Sequence, residues 1–514
     1  MSSIPPLDSG RLPRWLWLVA LLSLAMRLWV SAVLPMTGDE ALFYWWSRFP
    51  DYGYYDHPPM VGWWIAASRT LLGESEWAVR MTASLLPLGV GAAMWWAWAP
   101  QNRERAAWAV LLFWLAPVNW LGALVTTDTP LIFWAAWSAA AMVRAEARTQ
   151  HTGDQGQSAW GLYALSGVFL GLAFLSKYFA VLLGVAYAVY FAAFQRKNWR
   201  GLLWLVLASL PAVAVNVMWN LHHCWTNIMF NLFNRNEEAA FSVGKPLAYL
   251  GMMAYLISPV VIWLAVRHRQ ALMATLRSQK LVACMALVPL LCFGLMSGKK
   301  VIGLHWVLGF YPFLFVLLAW MLPASALKTA AKGLAVFLGL HLLVAVGAST
   351  LKLEQLQSFK HYHRLVEAAR AEQVVAQAQA PGVVLMARAY SSASIYGYAA
   401  GHHVPVFGMG SVHARQDDLV FDYSSVNGRT IHVILDREPD LADYQPYFDT
   451  VQVRAIQVSG ADFYVVEGQG FRYEAYRNQV MAQINRLYYR FPSWLPVKGC
   501  VFCERFCGQA RCQP

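Results

Sequence analysis

The sequence predicts a polytopic α-helical membrane protein of about 11–13 spans, followed by a C-terminal α/β domain outside the cytoplasm. Three observations predict it. The 514 residues are 58% hydrophobic and 13% charged, roughly half the charge of a soluble globular domain, so the chain cannot cover a water-facing surface. Apolar runs near the length that crosses a ~30 Å hydrocarbon layer recur through residues 1–350. Residues 351–514 return to ordinary soluble composition, which divides the chain into a membrane domain, 1–350, and a soluble domain, 351–514.

The first run, Trp15 to Leu34, follows Arg11 and Arg14 and carries Trp near both ends. At roughly 20 residues and without a small-residue cleavage site, it reads as a retained span rather than a signal peptide. Apolar stretches follow at 81–98, 107–125, 130–147, 160–176, 179–194, 201–219, 247–266, 281–297, 304–322 and 333–350. With a cytoplasmic N-terminus, the inner loops carry Arg103/Arg105, Arg144/Arg148, Arg196/Lys197/Arg200, Arg267/Arg269/Arg277/Lys280 and Lys328/Lys332. The outer loops then hold roughly half as many basic residues, as the positive-inside rule requires. An odd number of spans places residues 351–514 outside. The net charge of +12 sits in these short loops and not in a basic stripe interleaved with aromatics, so the sequence gives no reading as a nucleic-acid binder.

Two outer loops are long. The first, 36–80, reads Gly38-Asp39-Glu40-Ala41-Leu42-Phe43-Tyr44-Trp45-Trp46 and then Gly53-Tyr54-Tyr55-Asp56-His57-Pro58-Pro59-Met60. Its amphipathic aromatic pattern suits short helices lying in the membrane interface. The second, 220–246, contains Asn220, His222, His223, Arg235, Glu237 and Glu238. Both would face one leaflet. The soluble domain opens on a helical stretch at 354–379 and continues with strand-like pieces at Gly382–Ala387, Thr430–Leu435 and Ala461–Val466. It shows no catalytic motif, and its expected role is to cap the membrane site, to bind acceptor, or to serve structure alone.

Asp39 and Glu40 place two carboxylates beside a span end. Either Asp39 caps a helix or the pair is functional, as ionisable groups at membrane borders often are. Asp128, in Thr126-Thr127-Asp128-Thr129-Pro130, reads both as a helix start and as a second carboxylate at the same membrane face. Two such groups converging would activate an acceptor hydroxyl or amine, or bind a cation. Lys177 interrupts the apolar run Leu170 to Leu183, and Lys299 and Lys300 precede another span; all three fall outside, against the positive-inside bias. They would hold a lipid phosphate, or simply snorkel to headgroups. Asp56 and His57 supply a metal ligand and a phosphate contact, and His222 and His223 would complete a mixed oxygen and nitrogen site for zinc or magnesium. The alternative for these histidines is interfacial hydrogen bonding. In the tail, Cys500, Cys503, Cys507 and Cys512 form C-x2-C-x3-C-x4-C, for which two disulfides are expected in an oxidising compartment and a four-thiolate zinc site elsewhere.

The first outer loop, with Asp39-Glu40, its aromatic run and Tyr54-Tyr55-Asp56-His57-Pro58-Pro59, resembles the bacterial dolichyl-phosphate-mannose-protein mannosyltransferase-like family. That family belongs to the C-superfamily of membrane glycosyltransferases and includes the lipid A aminoarabinose transferase. The resemblance covers the membrane region in order and the outer domain more weakly. It implies that Asp39 lies at the catalytic centre with Glu40 beside it, and that Asp128 is the second acidic position. It further implies a metal-binding role for Asp56 and a carrier-phosphate contact for His57. Lys177, Arg235, Lys299 and Tyr311 fall where relatives place carrier-binding groups. The aminoarabinose enzyme has Arg three residues after the catalytic acid, whereas this chain has Leu42, which implies a different sugar or acceptor.

The expected function is therefore transfer of a sugar from a polyprenyl-phosphate carrier to an envelope acceptor at the outer face of the bacterial inner membrane. Lipid A or lipopolysaccharide, another glycan and a protein are all open as acceptors. Asp39 would activate the nucleophile for direct displacement with inversion, Asp128 would assist, and Lys177, Arg235 and Lys299 would stabilise the departing phosphate. No Gly-rich phosphate loop favours a nucleotide sugar. The rivals are a lipid-linked sugar flippase or transporter, against which the absence of internal symmetry counts, and a noncatalytic lipid-binding scaffold.

Overall fold

The structure, a computed structural model, describes residues 13–152, 159–234 and 241–507. Arg235, Glu237, Glu238 and Cys512 lie outside the described residues, as does Arg11. The chain forms two compact units: Met1–Val33, Leu72–Ala214 and Glu238–Ala348 make the first, and Leu34–Leu71, Val215–Glu237 and Ser349–Pro514 make the second.

The first unit is helical, and the chain is a polytopic membrane protein. Among the described residues four helices are long and apolar enough to cross a membrane: Arg14–Val33, Arg196–His222, Lys280–Ser297 and Ala324–Ser349. Gly244–Ile257 and Pro259–Arg267, bent by 91° at their junction, add a fifth if they count as one span. Several other runs that read as single spans are broken or short. The 107–125 run divides into Arg103–Leu115 and Val118–Leu121 around Pro117, and the 304–322 run into Leu304–Val307 and Tyr311–Met321, with Pro312 in the first turn of the latter. Proline has no N–H to donate and pushes the residue before it out of the helical region, so an apolar run need not be one helix. At the 91° bend Ser258, just before Pro259, takes φ +79°.

Charges inside this unit are partnered, as a low-dielectric interior demands. The Arg27 guanidinium donates to the carbonyls of Ala83 and Gly122, and Arg80 donates to the Ser31 carbonyl at 2.8 Å. Glu146 accepts from the Tyr163 hydroxyl at 2.6 Å, the Tyr190 hydroxyl at 2.7 Å and the Asn198 amide at 3.3 Å.

The second unit gathers both long loops with the C-terminal segment. The first loop supplies helix Gly38–Arg48 and the start of helix Met60–Leu72. Gly38 is required where it stands: a β-carbon there would lie 2.4 Å from that of Ser391. The C-terminal segment carries a four-stranded sheet of β1 (Val384–Ala387), β2 (Ile431–Leu435), β3 (Thr450–Val458) and β4 (Ala461–Gln469), in the order β1-β2-β4-β3. β1 and β2 run parallel, whereas β2–β4 and β3–β4 are antiparallel. β1, β2 and β4 are the strands the sequence predicts. β3 was not foreseen, although Thr450–Ala455 alternates polar and apolar residues; few of its residues are buried. It is fixed by the two-residue hairpin Ser459-Gly460, both at positive φ, which suits the twist of the flanking strands. The stretch read as one helix at 354–379 is Tyr362–Ala369 and Ala371–Ala378 after a 3₁₀ turn.

The tail cysteines do not pair only among themselves. Cys500 is bonded to Cys224, 276 residues earlier, and the backbone around them pairs as well, with Lys498 N–H donating to Leu221 at 2.8 Å. Cys507 is also disulfide-bonded. Cys503 remains a thiol, which burial pushes up to about 12. Because the Cys224–Cys500 link closes a very long loop, Cys224→Ser/Cys500→Ser should lower the stability of this unit by about 2–4 kcal/mol. Denaturant unfolding of the purified protein followed at the second unit's tyrosines checks this, and an unchanged midpoint would refute it.

Candidate active site

In the second unit the site begins at the helix Gly38–Arg48. Thr37 is its N-cap: the Glu40 N–H donates to Thr37 Oγ1 at 3.4 Å, while Glu40 Oε2 accepts from the Thr37 N–H and hydroxyl at 3.2 and 3.0 Å. The cap expected of Asp39 is therefore made by Thr37 with Glu40, a reciprocal capping box. Glu40 is buried and committed to it. Asp39, one residue earlier, is exposed and accepts from the Tyr390 hydroxyl at 3.0 Å. It lies in the first turn of that helix.

Tyr390 leads to a second carboxylate. Its ring centroid lies 5.7 Å from that of His413. His413 Nδ1 is 3.3 Å from Asp56 Oδ2, and His57 Nδ1 is 3.3 Å from Asp56 Oδ1. Burial alone would raise the Asp56 carboxyl, but His57 and His413 outweigh it and hold the group well below the usual carboxylate range. The strand of loop bearing these residues is pinned by its backbone: Asn231 donates to the Asp56 carbonyl at 2.9 Å, Asn227 to Tyr54 at 2.7 Å, and the Tyr55 N–H to Gln416 at 2.8 Å. His413 is steadied by the buried ion pair two residues on, Arg415 to Asp418 at 3.3 Å. Tyr390 and His413 were missed by sequence reading. They sit in a domain without a motif, and only the fold carries them to the first loop.

The metal set Asp56, His222 and His223 is not assembled. His223 stacks on Trp219 with centroids 4.0 Å apart, shares a hydrogen bond of 2.8 Å with the Trp219 carbonyl, and faces Asp51 at 3.9 Å. With His222, Tyr52 and Met218 these residues line a cleft of 360 Å³. Among the described residues the one group of three ligand atoms that converges, within 4.8 Å, is Cys224, Cys500 and Cys503. Two of those sulfurs are joined to each other. The donors present do not fit the expected divalent ion.

In the first unit Asp128 opens the helix Asp128–Thr152 and is buried. Its Oδ2 accepts from Lys177 Nζ at 2.7 Å and lies 3.9 Å from His305 Nε2, whereas its buried Oδ1 has no hydrogen-bond partner among the described residues. Lys177 is held in the turn between Trp160–Phe174 and Ala180–Phe194, with its ammonium 5.2 Å from the Phe179 ring. His305 was missed because it lies inside a run read as one span; the short helix Leu304–Val307 presents it instead. Lys299 is exposed in the preceding segment, where its carbonyl accepts from Lys245 Nζ at 2.7 Å. Tyr311 is buried and its hydroxyl donates to the Leu256 carbonyl.

Comparison with known proteins agrees with this architecture. Residues 56–219 match the model of the dolichyl-phosphate-mannose-protein mannosyltransferase family. The chain is 26% identical over 234 residues to the lipid A galacturonosyltransferase RgtD of Rhizobium johnstonii, covering 42% of this chain and 48% of that protein. It is 28% identical over 176 residues to the undecaprenyl phosphate-alpha-4-amino-4-deoxy-L-arabinose arabinosyl transferase of Shewanella sediminis, covering 34% of this chain and 31% of that one. The matches thus span less than half the length of these relatives. Crystal structures of ArnT from Cupriavidus metallidurans, in the apo state and bound to undecaprenyl phosphate, superpose with a TM-score of 0.62 over 88% of this chain at 15% identity, covering 97% and 98% of those chains. The fold is that of the ArnT structures. The resemblance read from the first loop is borne out.

Two consequences are measurable. Removing one member of a buried ion pair strands the other, so Asp128→Asn and Lys177→Gln should each destabilise the protein by about 3–5 kcal/mol, with the double variant costing less than their sum. A denaturant titration of the four proteins in detergent reads this, and simple additivity would contradict the pairing. Because the folded Asp56 carboxyl is depressed, its contribution is fully present above its unfolded value of about 3.9 and is lost as pH falls through the folded value. His413→Gln should therefore shift acid unfolding to higher pH, and an unshifted acid limb would show that His413 does not support Asp56.

Proposed function

We propose that this protein is a membrane glycosyltransferase that moves a sugar from a polyprenyl-phosphate carrier to a lipid or glycan acceptor of the bacterial envelope. It would act at the outer face of the inner membrane, with its C-terminal segment periplasmic. The observation that carries the reading is the exposed carboxylate of Asp39, which the capping box leaves outside the cap in the loop that resembles the family. The named relatives, a lipid A galacturonosyltransferase and an aminoarabinose transferase, support the donor and acceptor classes, and the ArnT structure bound to undecaprenyl phosphate supports the carrier.

In this reading Asp39 accepts the proton of the acceptor hydroxyl or amine as that group attacks the anomeric carbon. The carbon–phosphate oxygen bond breaks on the opposite side, inverting the centre and leaving the carrier phosphate. Tyr390 orients Asp39 through the 3.0 Å hydrogen bond. Lys177, Arg235 and Lys299 neutralise the departing phosphate, which requires fixed cations where charge develops. The pairing of Lys177 with Asp128 keeps that ammonium in place before substrate arrives, and His57 is the further carrier contact that the resemblance implies.

Asp39→Asn, which keeps the shape and removes the basicity, should lower transfer at least about 10²-fold without changing the unfolding midpoint. The assay uses purified protein in vesicles holding a polyprenyl-phosphate sugar and lipid A. Full activity in the variant removes Asp39 from the mechanism, and carrier that changes leaflet with no transferred sugar would establish a flippase instead.

A further inference from the structure

We propose that the first unit holds a second ligand site, for the phosphate group of an anionic lipid or for free phosphate, at the end of the helices that the positive-inside rule assigns to the cytoplasm. A cavity of 520 Å³ opens there between the ends of Glu76–Trp98, Asp128–Thr152 and Ala180–Phe194 and the start of Lys280–Ser297. Glu146, which lines it, is 18 residues along one helix from Asp128, about 27 Å at 1.5 Å per residue. The cavity is therefore separate from the site around Lys177.

Its lining is rich in donors. Gln101, Gln150, Gln195 and Gln279 contribute primary amides, and Arg277 and Lys280 contribute two cations. Lys280 Nζ lies 5.0 Å from the Phe194 ring, which holds the stem over the cavity edge. Lys280, Leu281 and Val282 also begin an 18-residue helix, so their N–H groups have no acceptor within it. Trp98 supplies an independent sign of a missing partner: it lines the cavity, is 2% exposed, and its indole N–H has no acceptor among the described residues.

The one carboxylate in the wall is committed to donors of its own. Both Glu146 oxygens are covered by donors from Tyr163, Tyr190 and Asn198, and Tyr190 in turn accepts from Gln195 at 3.4 Å. Two cations, several amides and a helix start against one covered carboxylate match a compact polyanion with several acceptor oxygens. Basic pockets between spanning helices on the cytoplasmic side take phospholipid headgroups on these grounds, and the volume admits one.

Calorimetric titration of the purified full-length protein in neutral detergent tests this, with short-chain phosphatidylglycerol in one arm and inorganic phosphate in the other. Saturable binding of one ligand per chain is expected, weakened about tenfold or more in Arg277→Gln/Lys280→Gln. It should be unchanged in Arg196→Gln/Lys197→Gln, which removes two exposed charges of the same face that do not line the cavity. Response to the lipid alone assigns the headgroup as ligand, and response to both assigns the phosphate group itself. Absence of saturation in both arms, or equal loss in the two charge pairs, overturns the site. Should the first double variant fail to fold, Trp98→Phe decides: unweakened binding there overturns the proposal.

Discussion

The cost of taking charge out of water orders this chain. A carboxylate or guanidinium buried without partners would lose several kcal/mol, so each one here has dictated what surrounds it. Arg27 and Arg80 donate to the backbone carbonyls of Ala83, Gly122 and Ser31, which ties the first span to the segments beside it. Glu146 is wrapped by two tyrosines and an asparagine from three other segments. Asp56 pairs with the adjacent His57 and draws His413 to it across 357 residues of sequence. Asp128 departs from this rule in a telling way. One of its oxygens is held by Lys177 and the other is buried with no hydrogen-bond partner among the described residues, so the pair retains unused acceptor capacity.

Much of the fold was legible because it rests on patterns that survive without long-range knowledge. The alternation of apolar runs with short basic loops requires a polytopic helical protein, whatever its details. Three strands showed themselves as short apolar pieces between turns, and the family likeness was readable in a single loop whose aromatic residues and acidic pair stand close together. The sequence was less informative wherever a run of uniform hydrophobicity hid a break. Proline at 117, 259 and 312 ends or begins helices inside such runs, and the short helix Leu304–Val307 between two of the pieces is what presents His305 to Asp128.

The candidate site was legible only in the half that the chain writes contiguously. Asp39, Glu40, Asp56 and His57 fall within one loop, and reading them together was enough to locate it. Tyr390 and His413 were invisible because neither belongs to a motif. Each acquires meaning from a contact made 351 or 357 residues away. Cys224 was overlooked for the same reason. It stood alone beside a crowded tail, yet it is the partner of Cys500. Conversely, His222 and His223 looked like ligands by adjacency, but the helix ends at His222 and His223 lies in the bridge to Cys500 beyond it. His223 is committed to Trp219 and Asp51.

Helical geometry resolves the ambiguity of Asp39 and Glu40, which sequence alone leaves as two equivalent acids. A capping box needs its acid three residues after the cap; with Thr37 as cap, that position is 40. Glu40 therefore turns back to the Thr37 backbone and is buried, and Asp39, displaced by one residue, cannot reach the same N–H and stays at the surface. Had the cap fallen at residue 36, the roles would have been exchanged, but Met36 offers no side-chain oxygen. The identity of residue 37 thus decides which of two adjacent carboxylates is buried in the cap and which stays exposed, and it does so through one turn of helix rather than through anything the acids themselves contribute.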